Sequence, residues 1–293
     1  MRQEEPRPLT DDMVRAWLPQ RPVDGHKGTF GHLLSVCGCA GMAGAAAFAA
    51  EAAYRCGAGL VTAAMPRGIY PLVTTRVPEA VCALLPEDAN GGMDAAAAET
   101  LRPLLPKMSA LLVGCGLGQG ASAATVLTEL LKTASCPVLV DADGLNLLAA
   151  HRNEMKTGSN VCLTPHPAEA ARLLCTTVEA VQADREGAAK TLADTTKAVV
   201  VLKGHETLIA ASSQPILINH TGNDGLAKGG SGDVLAGMIA GFAAQGMPLY
   251  EAAACGVYFH GLAGERAAKR LSRRGMLPRD LLTELPSLFS EYE

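Results

Sequence analysis

Two hydrophobic periods alternate along the chain. Short runs that are apolar on both faces, such as "HLLSVCGCA", "LVTAAM", "AVCALLP", "ALLVGCG", "CPVLVDAD", "NVCLTP" and "AVVVLKG", predict strands buried from both sides. Between them stand longer stretches with helical spacing. "LTDDMVRAWLP" predicts a short capped helix, and "MAGAAAFAAEAAYRCGAG" a small-residue helix ended by Gly57. "SAATVLTELLKTA", "GLNLLAAH", a stretch over 167–175 and one over 178–193 predict further helices. "ETLIA" and "PILIN", separated by the polar "ASSQ", predict a hairpin. The last third reads as three helices: "DVLAGMIAGFAAQ", "YEAAACGVYFHGLAGERAAKR" and "PRDLLTELPSLF". Strands alternating with helices predict an α/β fold with a mostly parallel sheet, helices on both faces and an antiparallel pair at one edge. No Pro/Ser/Gly linker, low-complexity block or 20–50-residue repeat divides the chain, so one domain over 1–293 is expected, its core at about 25–285.

Composition narrows the class. The chain has 293 residues, 48% hydrophobic and 18% charged, with a net charge of −4. That balance gives no general electrostatic case for nucleic acid or an anionic membrane. Nine scattered cysteines show neither a disulfide framework nor paired zinc spacing, so a reducing compartment is expected, with Cys37 and Cys39 read as buried thiols. The charged start "MRQEEPRPLTDD" is no signal peptide, and the apolar helices are too short to span a bilayer, so the protein is expected in the cytoplasm.

In parallel sheets ligands bind beyond the carboxyl ends of the strands. "LLVGCGLGQG" places glycines 114, 116, 118 and 120 after a strand, at a spacing that is not the dinucleotide fingerprint. "VLVDADGLN" ends a strand with Asp141 and Asp143. Asp143 is read either as a helix cap or as part of a cation site, a role that would concern Asp141 more. "LTPHPAEAARLL" gathers Thr164, His166 and Glu169 at a strand-to-helix junction, where His166 suits a phosphate or polar-substrate contact and Glu169 is alternatively a dipole-favoured surface charge. Lys203, leaving its strand into Gly204, meets a phosphate or is solvated.

The strongest signal is "TGNDGLAKGGSGD". Gly229, Gly230 and Gly232 stand directly before an apolar helix, where successive N–H groups form an anion nest. Asp233 follows in the first turn. A carboxylate beside a phosphate cradle is what a general base needs if a substrate hydroxyl attacks that phosphate; the alternative is a helix-end charge interacting with the dipole. Val234, Leu235, Met238, Ile239 and Phe242 form an apolar stripe, and Gly237 and Gly241 a smooth face for close packing. The phosphate-loop pattern G-x-x-x-x-G-K-[ST] is absent.

Taken in order, "GMAGAAAFAAEAAYRCGAGLVT", "VGCGLGQ", "VDADGLNLLA", "LTPHPAEAARLL", "VVLKGHETLIA", "TGNDGLAKGGSGDVLAGMIAGF" and "GVYFHGLAGERAA" resemble the ADP/ATP-dependent NAD(P)H-hydrate dehydratases of the ribokinase-like superfamily, over roughly residues 25–270. The resemblance implies a three-layer α/β/α sandwich and ADP-dependent repair of the S-form of hydrated NADH and NADPH, with release of AMP and phosphate. It implies Asp233 as the base. It implies hydrated-cofactor contacts at Ala45, Gly116, Gly118, His166, Pro167, Glu169, Arg172 and Asp233. Nucleotide contacts are implied along Lys203, Gly204, His205, Glu206 and Thr207, and along Asn223, Gly225, Leu226, Ala227, Lys228, Gly229, Gly230, Ser231 and Gly232. Mg²⁺ is expected with the polyphosphate, with Glu169 and Asp141 as candidate ligands. A homo-oligomer, a tetramer being compatible, is expected too. Residues 1–24 are too few for an epimerase domain, so an epimerase acting on the same metabolite is expected as a separate chain. Three positions depart from the family pattern: Cys115 for Pro, Gly144 for Ala, and Lys228 for a small residue, this last beside the nest where it would bear on the choice of ADP or ATP. The competing reading is a ribokinase-like kinase of a small alcohol such as hydroxyethylthiazole or pyridoxine, which would use Asp233 identically.

Overall fold

A computed structural model describes residues 5–293. Ten strands form one sheet: β1 (Arg7–Pro8), β2 (His32–Val36), β3 (Leu60–Pro66), β4 (Val81–Leu85), β5 (Ala110–Val113), β6 (Val138–Val140), β7 (Val161–Leu163), β8 (Val199–Leu202), β9 (Thr207–Ala211) and β10 (Gln214–Asn219). Their order is β1-β10-β9-β8-β7-β6-β5-β2-β3-β4. The ladders from β4 to β8 are parallel, and β8–β9–β10 are antiparallel. The predicted hairpin is therefore present, but it is not the edge: the two-residue β1 pairs parallel with β10 outside it. Two residues carry too little pattern to be read as a strand.

The helices are α1 (Asp11–Trp17), α2 (Ala43–Arg55), α3 (Tyr70–Arg76), α4 (Ala97–Leu101), α5 (Ala121–Thr133), α6 (Asp143–Ala150), α7 (Pro167–Leu174), α8 (Val178–Ala183), α9 (Arg185–Thr196), α10 (Ser231–Ala244), α11 (Leu249–Leu271) and α12 (Pro278–Phe289). The single helix expected over 178–193 is two. The Asp184 backbone is extended (φ −142°, ψ 76°), and its side chain accepts from Gly187 N–H at 2.8 Å, so the residue ends α8 and caps α9.

Alternation along the central strands explains the layers. In β5, Ala110 and Leu112 face a core shared with α2, α10 and α11, while Leu111 and Val113 face one shared with α4, α5 and α6. Under β8 and β9, α7 and α9 close a third cluster. Both faces of the sheet are covered, which is why its strands read as continuous apolar runs.

Helix α10 is the central post: every residue except Gly232 and Asp233 is buried. It packs on α2 at glycine range. A methyl group on Gly237 would lie 2.2 Å from the Ala49 carbonyl oxygen, and one on Gly241 would lie 2.8 Å from Ala53 Cα. Any side chain there would force the helices apart, so the small-residue faces of both helices are a packing requirement. Among the described residues no helix is long and apolar enough to cross a membrane, and all nine cysteines are free. Cys37 is buried as expected, Cys39 is half-buried, and Cys175 is exposed.

Candidate active site

The strand order reverses between β5 and β2, so the loops after these two strands diverge and leave a crevice at their carboxyl ends. Gly38 N–H donates to the Cys115 carbonyl at 2.8 Å and closes the crevice floor. Gly116 and Gly118 take φ of +62° and +83° there. A methyl group on Gly116 would press on Ala45 Cβ at 3.1 Å, whereas one on Gly118 would meet nothing within 4 Å. Ala45, Gly116 and Gly118 thus lie together, and Gly118 faces open space.

Carboxylates and one lysine converge from the next three strands. Asp141 follows β6 and is buried; it accepts from Lys203 Nζ at 2.9 Å and from Thr164 Oγ1 at 2.7 Å. Lys203 follows β8 and Thr164 follows β7, so the parallel register itself brings them together. Burial opposes the lysine's charge, but Asp141 and Glu169 outweigh it and hold the amine above its usual range. Lys203 is therefore not freely solvated. It is the counterion of Asp141, with Nζ also 3.9 Å from Glu169.

Asp143 does not cap its own helix. It is the first residue of α6, accepting from Gly118 N–H at 2.9 Å and from Gln119 Nε2 at 2.8 Å, and so it fixes the glycine turn. Ala142 between the two aspartates sits at φ +50°, a strained value for a residue with a Cβ.

His166 is the N-cap of α7. Its Nδ1 accepts from the N–H groups of Ala168 (3.1 Å) and Glu169 (3.4 Å), while its own N–H donates to Glu169 Oε2 at 2.8 Å. Pro167 occupies the first helical turn, where no N–H is missed. The reciprocal capping fixes the imidazole, which keeps about half its surface exposed. Burial, Lys203 and Arg172 depress its pKa. Glu169 is buried rather than a surface charge, and burial pushes its carboxyl up. Arg172 reaches Asn146 Oδ1 at 3.0 Å, one turn along α6.

Opposite stands the start of α10. Gly230 takes φ +96°, and its missing side chain leaves room for Phe48, which a methyl group would meet at 2.9 Å. A methyl on Gly229 would meet nothing within 4 Å. One on Gly232 would point at Lys203 Nζ (3.6 Å) and Asp141 Oδ2 (3.8 Å). The nest is thus open and backbone-lined, with Gly232 beside the Lys203–Asp141 pair. Asp233 is half-buried one residue on. Its carboxylate, Asp141 and the Cys115 thiol present atoms within 4.8 Å of one another. Burial first, then the charge of Asp141, push the Asp233 carboxyl up to about 6, against the opposing pull of the Cys115 hydrogen bond and Lys203. Cys115, buried at this junction, is held protonated by its hydrogen bond with Cys37, by burial and by the neighbouring carboxylates.

The remaining loop residues divide. The 203–207 turn is positioned by Arg185, which donates to the carbonyls of Leu202 (3.3 Å), Lys203 (3.4 Å) and Glu206 (3.2 Å). Gly204 (φ +142°) and Glu206 (φ +58°) make the turn, Thr207 Oγ1 ties back to the Gly204 carbonyl at 3.0 Å, and His205 is exposed. Asn223 Oδ1 accepts from Gly225 N–H at 2.9 Å, and its Nδ2 is buried without a partner. An orphaned donor in this loop fits a bound acceptor such as a nucleotide. Leu226 ends the short helical turn of this loop, and Ala227 follows it. Ser231 is held by His260, whose Nε2 lies 3.2 Å from Ser231 Oγ and 3.0 Å from its carbonyl. Lys228 points away from the nest. Its amine donates to the carbonyls of Arg273 (3.4 Å), Arg274 (2.7 Å) and Met276, tying the nest loop to the segment after α11.

Arg185 and His260 escaped the sequence reading. Arg185 acts on carbonyls, which leave no side-chain signature. An isolated histidine inside the apolar run "VYFHGLAG" was the available sign of His260.

A mixed sheet with helices on both faces, a crevice at its switch point and a glycine nest beside a carboxylate define a ribokinase-like α/β/α protein. An Enterococcus faecalis ribokinase-like superfamily protein is similar at a TM-score of 0.87, 29% identity and coverage of 98% of this chain and 96% of that one. The chain belongs to the NAD(P)H-hydrate dehydratase family, whose pattern matches residues 33–287. An ADP-dependent (S)-NAD(P)H-hydrate dehydratase of Neisseria meningitidis is 45% identical over 84% of this chain and 80% of its own length. The Bacillus subtilis ADP/ATP-dependent NAD(P)H-hydrate dehydratase, co-crystallized with ATP/Mg²⁺, matches at a TM-score of 0.84 and 32% identity, over 98% of this chain and 99% of that one. The chain spans about half the length of the bifunctional NAD(P)H-hydrate repair enzymes it also matches.

Proposed function

We propose that the chain performs ADP-dependent dehydration of the S-form of hydrated NADH and NADPH, giving the reduced dinucleotide, AMP and phosphate. The observation that carries this is the placement of Asp233. It follows directly after an open backbone nest, faces the Lys203–Asp141 pair, and has a carboxyl pushed to about 6, suited to taking a proton near neutral pH. The hydrated ring stands between Asp233 and the wall of Ala45, Gly116, Gly118 and His166. The nucleotide follows the 203–207 turn and the 223–232 loop, its terminal phosphoryl in the nest.

Asp233 removes the proton of the ring hydroxyl as that oxygen bonds to the terminal phosphorus and AMP leaves. The ring nitrogen lone pair then expels phosphate with the former hydroxyl oxygen, and the adjacent ring carbon gives up a proton to restore the double bond. Hydroxide leaves poorly and phosphate well, so the nucleotide activates the elimination. Lys203 keeps Asp141 charge-paired and offers positive charge at the nest. Mg²⁺, where bound, supplies further charge neutralisation to the polyphosphate. Asp141 and Glu169 would be its protein oxygen donors, but both already face Lys203, so the polyphosphate itself would carry most of the ion's coordination.

The test is product analysis with NADH hydrate, Mg²⁺ and ADP or ATP in parallel. Recovery of reduced-nicotinamide absorbance with release of phosphate is expected; a stable phosphoester without absorbance would make the protein a kinase.

A further inference from the structure

A groove of about 490 Å³ runs between α6 and α7, with Gln119, Asn146, Arg152, Arg172 and Cys175 lining it over a floor of two alanines. It holds two guanidinium groups and two carboxamides, and no carboxylate. Other surface arginines of the protein, among them Arg15, Arg76, Arg102 and Arg270, rest against acids. These two form no salt bridge among the described residues: Arg172 donates to the Asn146 amide oxygen at 3.0 Å, and Arg152 to the Cys175 sulfur. Arg172 feels the charge of Glu169 but is not ion-paired with it, and two guanidinium groups outside salt bridges suit a doubly charged anion, which planar forks grip in bidentate fashion.

The groove is continuous with the crevice. Gln119 lines it and also grips Asp143, beside Gly118 of the ring wall. Arg172 lies on the helix that His166 caps. From Asp143 to Asn146 is about 5 Å along α6, and to the alanine floor about 10 Å, at the ordinary rise per residue.

We propose that Arg152 and Arg172 bind the diphosphate bridge of the hydrated dinucleotide, so that the groove anchors the non-reacting part of the substrate. The inference rests on the function proposed above. It adds Arg152, Asn146 and Gln119 to the substrate contacts and makes the groove, rather than the ring pocket alone, the source of substrate affinity.

Two measurements test it. In steady-state assays, Arg152→Ala and Arg172→Ala each raise the KM for NADH hydrate about tenfold or more, as loss of a charged hydrogen bond requires, while kcat and the KM for ADP change less than about twofold. With the hydrate of reduced nicotinamide mononucleotide, which carries one phosphate instead of two, the gap between wild type and Arg152→Ala narrows. Independently of turnover, inorganic pyrophosphate slows iodoacetamide alkylation of Cys175 in the wild type, read by peptide mass spectrometry, and loses this effect in Arg152→Ala. An unchanged KM for the hydrate in both variants, or Cys175 labelling indifferent to pyrophosphate, overturns the proposal. A wild type that protects Cys175 but never restores NADH overturns the proposed activity instead, and leaves an anion groove of a different substrate.

Discussion

The two walls of the crevice are built by opposite means. The α10 wall is backbone: Gly229, Gly230 and Gly232 contribute no side chain, and the nest is held from behind by Lys228 on the 273–276 carbonyls and by His260 on Ser231. The strand-end wall is side chain: Asp141, Thr164, Lys203, His166 and Glu169 form one connected set of ion pairs and hydrogen bonds. Asp233 belongs to the backbone wall by sequence and to the side-chain wall by charge, since Asp141 and Lys203 tune it. The proposed anion site is thus a rigid backbone surface that titrates nothing, and the proposed base Asp233, carried on that same wall, is tuned by the charges of the facing one.

The largest expected effect comes from breaking the junction. Asp233→Asn should lower kcat by about 10³-fold, because an amide accepts no proton. Calorimetric titration should find ADP affinity within about twofold of wild type. Wild-type turnover would assign the base elsewhere. The same residue sets the pH profile: it works deprotonated and its folded-state pKa lies near 6, so kcat/KM should fall as pH drops through about 6 and level off above it. An acid limb near 4 would place Asp233 outside the free-enzyme rate law.

Lys203→Met attacks the side-chain wall by leaving buried Asp141 without its cation. Urea unfolding should record a loss of about 3 kcal/mol, the scale for removing one member of a buried pair. An unchanged midpoint would make the pair incidental. Gly230→Val attacks the backbone wall. A β-branched residue at φ +96°, with Phe48 at 2.9 Å from its Cβ, should weaken ADP binding about tenfold as the nest distorts, and equal affinity would remove the nest from the account. Lys228→Met should matter least: about 1–2 kcal/mol of stability from the lost carbonyl ties, with ADP affinity within about twofold. A large selective change between ADP and ATP would return Lys228 to the phosphates.

What was legible in the sequence follows the same division. The parallel strands, the nest and the buried post of α10 are local patterns, visible as apolar runs and a glycine cluster. Long-range partners were not. The pairing of Lys203 with Asp141 joins residues 62 positions apart through the parallel register, and Lys228 turns to carbonyls 45–48 residues away. Position beside the glycines suggested a phosphate contact for Lys228, but three carbonyls at the end of α11 offered its amine a closer home. The break at Asp184 and the outer strand β1 escaped because one cap and two residues barely disturb the hydrophobic pattern.

In the proposed reaction the ring hydroxyl, activated by Asp233, attacks the phosphoryl group in the nest. Hydrate prepared with oxygen-18 in that hydroxyl tests it directly. As NADH is restored, the label should appear in the released phosphate, one atom for each AMP formed. Label found in water, with unlabelled phosphate, would contradict it.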